Sequence, residues 1–184
     1  MFNLLLNIDQ SVTLFFYKLF SHNVFFDIFF SFFSFLGSTV FVWLIIIFLV
    51  VFFEEKAHPG ISKNDKKFIV IFTLTIFLSF LTSEVILKNI FQRPRPFSQI
   101  KNLKLKIKNY PSDFSFPSGH ATIAFATATT LSFFDKKRKW FYYFLASLIA
   151  YSRLYLGVHY FFDVVIGGII GTMISRIILK KLKT

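Results

Sequence analysis

The chain has 184 residues, 55% of them apolar, with thirty Phe, a mean hydropathy of +0.62 and a formal net charge of +12. Soluble domains run at about 45–50% apolar and lack long apolar runs. A soluble domain is therefore excluded, and an all-α integral membrane protein is expected. The Lys and Arg gather at the ends of apolar runs, which assigns the charge to membrane orientation and anionic lipid rather than to nucleic acid. With no Cys in the chain, disulfides, thiolate metal sites and cysteine nucleophiles are ruled out. The length predicts one membrane domain over residues 1–184, and since the first residues lack a basic leader and a small-residue cleavage site, no signal peptide is expected in them.

Residues 2–20 mix apolar positions with Asn7, Asp9, Gln10 and Lys18, the pattern of an amphipathic segment lying in the interface. Val24 to Phe53 is nearly all apolar, broken by Asp27 and Gly37-Ser38. A span needs about 20 residues, so a turn near Gly37 is expected, with a short helix before it and a spanning helix after it. Residues 54–67 form a basic polar loop around Pro59-Gly60. Phe68–Leu87 spans, interrupted by Glu84, and 91–117 is a long loop holding four of the five prolines. His120–Phe134, Trp140–Leu156 and Tyr160–Leu179 span, with a basic turn at Asp135–Lys139. Gly167 and Gly171 make a GxxxG packing face in the last helix. The expected architecture is a bundle of five to six transmembrane helices with an N-terminal amphipathic or short membrane helix.

The loop 54–67, the turn 135–139 and the tail from Lys180 are each basic, and alternation places all three on one side of the membrane. The positive-inside rule makes that side cytoplasmic. The loop 91–117 then lies outside despite its own Lys and Arg, and an anionic substrate would explain them.

The chemistry gathers at that outer face. His159 and Asp163 stand four residues apart at the opening of the last span. On a helix they share a face, so Asp163 would take the proton of one ring nitrogen and leave the other to attack or to bind a metal. Taken singly, the spacing also suits a structural His–Asp pair. Lys88, Arg95 and Arg153 end or follow other spans at the same face, and Ser118 is a natural N-cap for the helix that His120 opens. Cations around the free N–H groups of a helix start form a site for a tetrahedral dianion.

Lys88-x6-Arg95-Pro96, Pro117-Ser118-Gly119-His120 and Ser152-Arg153-x5-His159-x3-Asp163 together resemble the three-part signature of the type 2 phosphatidic acid phosphatases, relatives of the vanadium haloperoxidases. No signature position departs from the pattern. The resemblance implies that His159 is the nucleophile forming a phosphohistidine, that Asp163 orients it, and that His120 protonates the leaving oxygen and then activates water. It implies that Lys88, Arg95, Ser118, Gly119 and Arg153 bind phosphate, with neither metal nor cofactor. The expected function is removal of a terminal phosphate from a membrane lipid at the extracytoplasmic face of a cytoplasmic membrane, as in small bacterial members. Undecaprenyl diphosphate leads the substrates, ahead of phosphatidylglycerol phosphate, phosphatidic acid and lipid A phosphates. A lipid phosphotransferase would use the same residues. A transporter or channel would instead spread its charges through the midplane.

Among the other polar residues, Glu84 is expected to pair with Lys88 one turn away. Arg93 is adjacent to the signature and is assigned to substrate binding. Lys101–Lys108 alternates with apolar residues, a pattern that suits a short strand, a lipid-facing basic lip or a plain solvated loop. His22 and His58 are expected at the surface, and Asp27 receives no role.

Overall fold

The computed structural model describes residues 2–38, 63–100 and 111–182. The spanning helix expected up to Phe53, His58, most of the loop 54–67 and the alternating stretch 101–108 lie outside the described residues. Within them the secondary structure is helical and contains no strand. In chain order the helices are α1 (Phe2–Lys18), α2 (Val24–Ser38), α3 (Lys63–Phe80), α4 (Lys88–Phe91), α5 (Pro96–Gln99), α6 (Gly119–Phe134), α7 (Lys139–Tyr155) and α8 (Phe161–Leu182). A π-helical segment, Leu81–Leu87, joins α3 to α4. The loop expected over 54–67 is helical from Lys63 onward.

Two stretches, Lys66–Gln99 and Phe161–Leu182, are long and apolar enough to cross a membrane. Core helices of soluble proteins meet the same test when buried, but only 33% and 44% of these two apolar windows are buried. Their outer faces are bare hydrocarbon. Val165, Ile169, Met173 and Ile177 recur every fourth residue along α8 and are all exposed. Such a stripe belongs against lipid, not water.

Helix α6 is the centre, packed against α8, α7, α3 and α2. Lipid is as apolar as Leu, so helices in a membrane associate through close packing and interhelical hydrogen bonds. The sequence of α6 suits this, with Ala121, Ala124, Ala126 and Ala128 all buried. Gly171 of α8 lies so close to α6 that a Cβ there would come within 2.0 Å of the Thr122 carbonyl oxygen. The GxxxG face is thus a helix contact. Thr130 and Ser175 hydrogen-bond across it at 2.8 Å, a link worth about 0.6 kcal/mol on average in such bundles.

Helices α1 and α2 wrap the other side. Phe16 stacks on Phe161 with ring centroids 5.2 Å apart, and Phe30 packs on Tyr155 at 4.4 Å. Tyr155 donates to Asp27 at 2.6 Å, which gives Asp27 a partner in the bundle. His22 is not a free surface group: its ring lies 4.3 Å from that of Tyr17 and 4.5 Å from that of Tyr155. In α1, Leu4, Leu5 and Phe15 face outward while Asp9 and Thr13 are buried toward the start of α8. Asp9 and Thr13 of α1 therefore face protein while Asn7, Ser11 and Lys18 stay exposed, where the sequence pattern points to an interfacial segment.

Candidate active site

A cavity of about 220 Å³ opens where these helix ends meet, lined by Glu84, Lys88, Arg95, Asp113, Gly119, His120, Arg153 and His159, among others. Six of the eight residues singled out from sequence line it. The other two, Ser118 and Asp163, stand directly behind the wall.

Lys88 reaches the cavity from the end of the π-helical segment. Its backbone N–H bonds to Ser83 O, the wide hydrogen-bond register that such segments bring to functional sites. Its ammonium group donates to Glu84 Oε2 at 2.6 Å and to Asp113 Oδ2. The expected Glu84–Lys88 pair is therefore present. Glu84 also leans on the start of α6: a Cβ at residue 119 would fall 1.7 Å from its Oε1, so a side chain there would displace the Glu84 carboxylate.

Arg95 precedes α5 and is held on every side. Nε donates to the Asp113 carbonyl at 2.9 Å, Nη1 to the Val158 carbonyl at 2.8 Å, and Nη2 to Asp113 Oδ1 at 2.6 Å. Asp113 thus bridges two cations of the cavity. Burial raises its pKa, but the Lys88 hydrogen bond and the Arg95 charge outweigh that and hold the carboxyl below the usual range. No motif marks Asp113. Its only signal in sequence is a lone acid in a basic loop.

Ser118 caps α6, accepting from Ala121 N at 3.5 Å, and its own N–H donates to the Asp163 carbonyl at 3.0 Å. Fully buried, it sets the helix start that aims Gly119 and His120 at the cavity. The His120 ring donates to the Ser34 backbone carbonyl, and its Nε2 is buried without a partner among the described residues. Arg153, near the end of α7, donates to Ser34 Oγ through Nη1, and its Nε is likewise buried and unpaired among the described residues. Orphaned buried polar atoms are rare in folded proteins. Two on one cavity wall are what an anionic ligand would satisfy.

His159 sits in the turn between α7 and α8, made possible by Gly157 at φ 73°, a left-handed conformation that L side chains seldom adopt. The sequence reading puts His159 on the last helix with Asp163 taking its ring proton, and here the structure differs. His159 lies before α8, and its Nδ1 donates to the Ser115 carbonyl at 2.7 Å, while Asp163 Oδ2 is 3.6 Å away. The tautomer is set by the carbonyl, with the carboxylate behind it. Nε2 faces the cavity, 3.3 Å from Arg95 Nη1. Since Arg95 can only donate, Nε2 presents its lone pair. Burial lowers the pKa of the ring well below the ordinary value, and Arg95, Arg153, Lys88 and His120 lower it further. A neutral imidazole with an unprotonated Nε2 is a nucleophile once the Arg95 donor turns to a substrate oxygen.

Asp163 has other work. Its Oδ2 accepts from Tyr160 N at 2.9 Å, closing the first turn of α8 as the third residue of a capping box does. Its Oδ1 accepts from Arg93 Nη1 at 2.6 Å, and Arg93 Nη2 donates to Asp9 at 2.6 Å. The assignment of Arg93 to substrate binding is thus corrected: both arms of its guanidinium are taken by buried carboxylates.

The family model of the PAP2 superfamily matches residues 67–184. The chain is 32% identical over 136 residues to an undecaprenyl-diphosphatase of Sulfolobus acidocaldarius, covering 73% of this chain and 61% of that protein. Two further curated relatives are each spanned over 48% of their length, so the chain spans about half to three-fifths of these curated relatives. The crystal structure of Aquifex aeolicus LpxE superposes with a TM-score of 0.70 at 32% identity, covering 92% of this chain and 93% of that one. A transmembrane PAP2 type phosphatidylglycerolphosphate phosphatase from Bacillus subtilis has the same fold, with a TM-score of 0.71 at 23% identity over 98% of this chain and 87% of its own. The three motifs, the helices that carry them and the family match agree: this chain belongs to the PAP2 superfamily.

Proposed function

We propose that the chain is a membrane phosphatase that removes the terminal phosphate of a lipid phosphate or diphosphate, with undecaprenyl diphosphate as its leading substrate. The observation that carries this reading is the cavity itself. Three buried cations, Lys88, Arg95 and Arg153, surround the unprotonated Nε2 of His159 and the unpaired Nε2 of His120. Fixed cations around the reacting group stabilise the charge of a phosphoryl transition state, which is most of what phosphoryl transfer asks of a protein. The name of the Sulfolobus relative supports the diphosphate substrate.

In this reading His159 Nε2 attacks phosphorus, an N–P bond forms and the P–O bond to the lipid breaks. His120 gives a proton to the departing oxygen. Water, relieved of a proton by His120, then attacks phosphorus, breaks the N–P bond and releases inorganic phosphate. Lys88, Arg95, Arg153 and the N–H of Gly119 hold the phosphoryl oxygens, while Ser118, whose own N–H is taken by the Asp163 carbonyl, sets the helix start behind them. The single domain spans the bilayer with five to six helices, and the cavity opens on the extracytoplasmic side of the cytoplasmic membrane. The basic turn 136–139 and the basic end of α8 at Lys180 and Lys181 then face the cytoplasm.

The test is phosphate release by the purified full chain across a panel of undecaprenyl diphosphate, phosphatidylglycerol phosphate, phosphatidic acid and lipid A phosphate. Release from at least one that disappears in His159→Ala is expected, fastest with the diphosphate. Release that survives in His159→Ala would remove the mechanism.

A further inference from the structure

Helix α1 lies wholly outside the stretch 67–184 that the family model matches, and it carries none of the three motifs. Yet its Asp9 is 1% exposed and ion-paired next to the site. Arg93 forks between two carboxylates, Nη2 on Asp9 Oδ2 and Nη1 on Asp163 Oδ1, both at 2.6 Å, with its guanidinium carbon 3.8 Å above the Tyr160 ring. Asp9 Oδ1 also accepts from Phe162 N at 3.0 Å, and Thr13 Oγ1 accepts from Phe161 N at 2.9 Å. These are two of the first N–H groups of α8, which no residue within that helix can satisfy. Side chains of α1 therefore cap the helix that carries Asp163.

Capping alone does not explain the charge. Thr13 caps with a neutral hydroxyl, whereas Asp9 brings a second carboxylate to a guanidinium that already has one. Two carboxylates against one cation leave an excess negative charge in a buried place, which is costly unless something nearby benefits from it. His159 is the neighbour that does. Asp163 Oδ2 lies 3.6 Å from its Nδ1, and its other charged or titratable neighbours, Arg95, Arg153, Lys88 and His120, all disfavour a positive imidazole. With both arms engaged, Arg93 cannot close on Asp163 alone and draw it away from the ring.

We propose that Asp9 is a positioning residue for phosphoryl transfer: acting through Arg93, it fixes Asp163 behind His159 and supplies the negative charge that offsets the cations around the nucleophile. The inference rests on the phosphatase reading for its role in turnover. The linkage from Asp9 to the His159 ring stands apart from that reading.

The test compares Asp9→Asn, Asp9→Glu, Thr13→Ala and His159→Ala in the full chain in detergent or nanodiscs. Asp9→Asn keeps an acceptor for Phe162 N and loses the charge on Arg93. It is expected to lower kcat on the lipid diphosphate by roughly 10–100-fold, as loss of a partner behind a functional imidazole does, with KM within about twofold. Its acid limb should move to lower pH, because removing a negative charge makes the His159 imidazolium less favoured. Asp9→Glu should recover part of kcat. Thr13→Ala, with no tie to Arg93, should keep kcat within about twofold even where thermal stability falls. Imidazole signals in 15N-histidine spectra provide a readout independent of turnover, and the His159 signal, assigned by its loss in His159→Ala, should shift in Asp9→Asn and not in Thr13→Ala. A wild-type kcat and pH profile in Asp9→Asn, or parallel losses in Asp9→Asn and Thr13→Ala, would overturn the proposal. If the wild type releases no phosphate from any lipid, the phosphatase reading fails instead, and an unmoved His159 signal in Asp9→Asn would still sink the linkage.

Discussion

Asp113 and Arg95 form a two-point contact, with the Asp113 carboxylate accepting from Nη2 at 2.6 Å and its carbonyl from Nε at 2.9 Å. The same carboxylate takes the Lys88 ammonium. A phosphoryl group entering the cavity needs these donors, so Asp113 stands where substrate oxygens would be. Asp113→Asn should weaken that competition. We expect KM for the lipid substrate and the inhibition constant for inorganic phosphate each to fall about tenfold, or ~1.4 kcal/mol of binding. Steady-state kinetics with added phosphate would measure both, and a raised KM would mean that Asp113 organises the cations instead.

The same residue fixes a pH dependence of stability. A carboxylate with a folded pKa below its unfolded value stabilises the fold at all pH above the unfolded value and loses that contribution as pH falls through the folded one. Asp113 is held below the ordinary 3.8. The difference in thermal midpoint between wild type and Asp113→Asn should therefore be constant from neutral pH down to about 5 and close only in stronger acid. Differential scanning fluorimetry across pH 3–8 in detergent would record it. A gap that closes between pH 6 and 8 would assign the effect to a histidine.

The cavity was legible in sequence because its chemistry is written in residue types at fixed spacing near helix ends. Lys88, Arg95, His120, Arg153 and His159 converge as the spans and their alternation require. The helix boundaries of α6 and α8 follow from Ser118 as N-cap and from apolar runs bounded by charge. What sequence left out are partners chosen by tertiary packing. Ser115 offers a backbone carbonyl, which no side-chain pattern reveals. Asp9 lies 154 residues from Asp163, and its burial follows from how α1 docks, so an amphipathic pattern alone turned it toward the membrane surface. Arg93 beside Arg95 reads as a second phosphate ligand until two acids are seen on it.

Topology gives a prediction that needs no activity. If the cavity opens outside, a cysteine at Ser112, exposed next to Asp113, should react with an impermeant maleimide in intact cells. One at Lys136, exposed in the turn before α7, should react only after lysis. The chain has no native Cys to confuse the result. Labelling at 136 and not at 112 in intact cells would invert the orientation.

The two histidines should separate by leaving group. His159 Nε2 is the nitrogen held with its lone pair toward the cavity, so His159→Ala removes the only covalent route and should abolish turnover on every substrate. His120 carries the unpaired buried Nε2 on the same wall. As the acid that protonates the departing oxygen, it matters most when that oxygen is a poor leaving group. General acid catalysis contributes about 10²–10⁴-fold, so in His120→Ala the phosphorylation of His159 should slow by that much with a lipid phosphate and far less with an aryl phosphate. With the aryl substrate the second step becomes slow, because water loses its base, and a phosphorylated His159 should accumulate as an acid-labile, alkali-stable adduct. Asp163→Asn should instead show no dependence on the leaving group and lower turnover on both substrates alike, since it alters the nucleophile's support. Rapid-quench phosphorylation assays with both substrates would distinguish the three variants. Equal slowing of the phosphorylation step in His120→Ala on the two substrates, or an adduct that persists in His159→Ala, would reassign the roles.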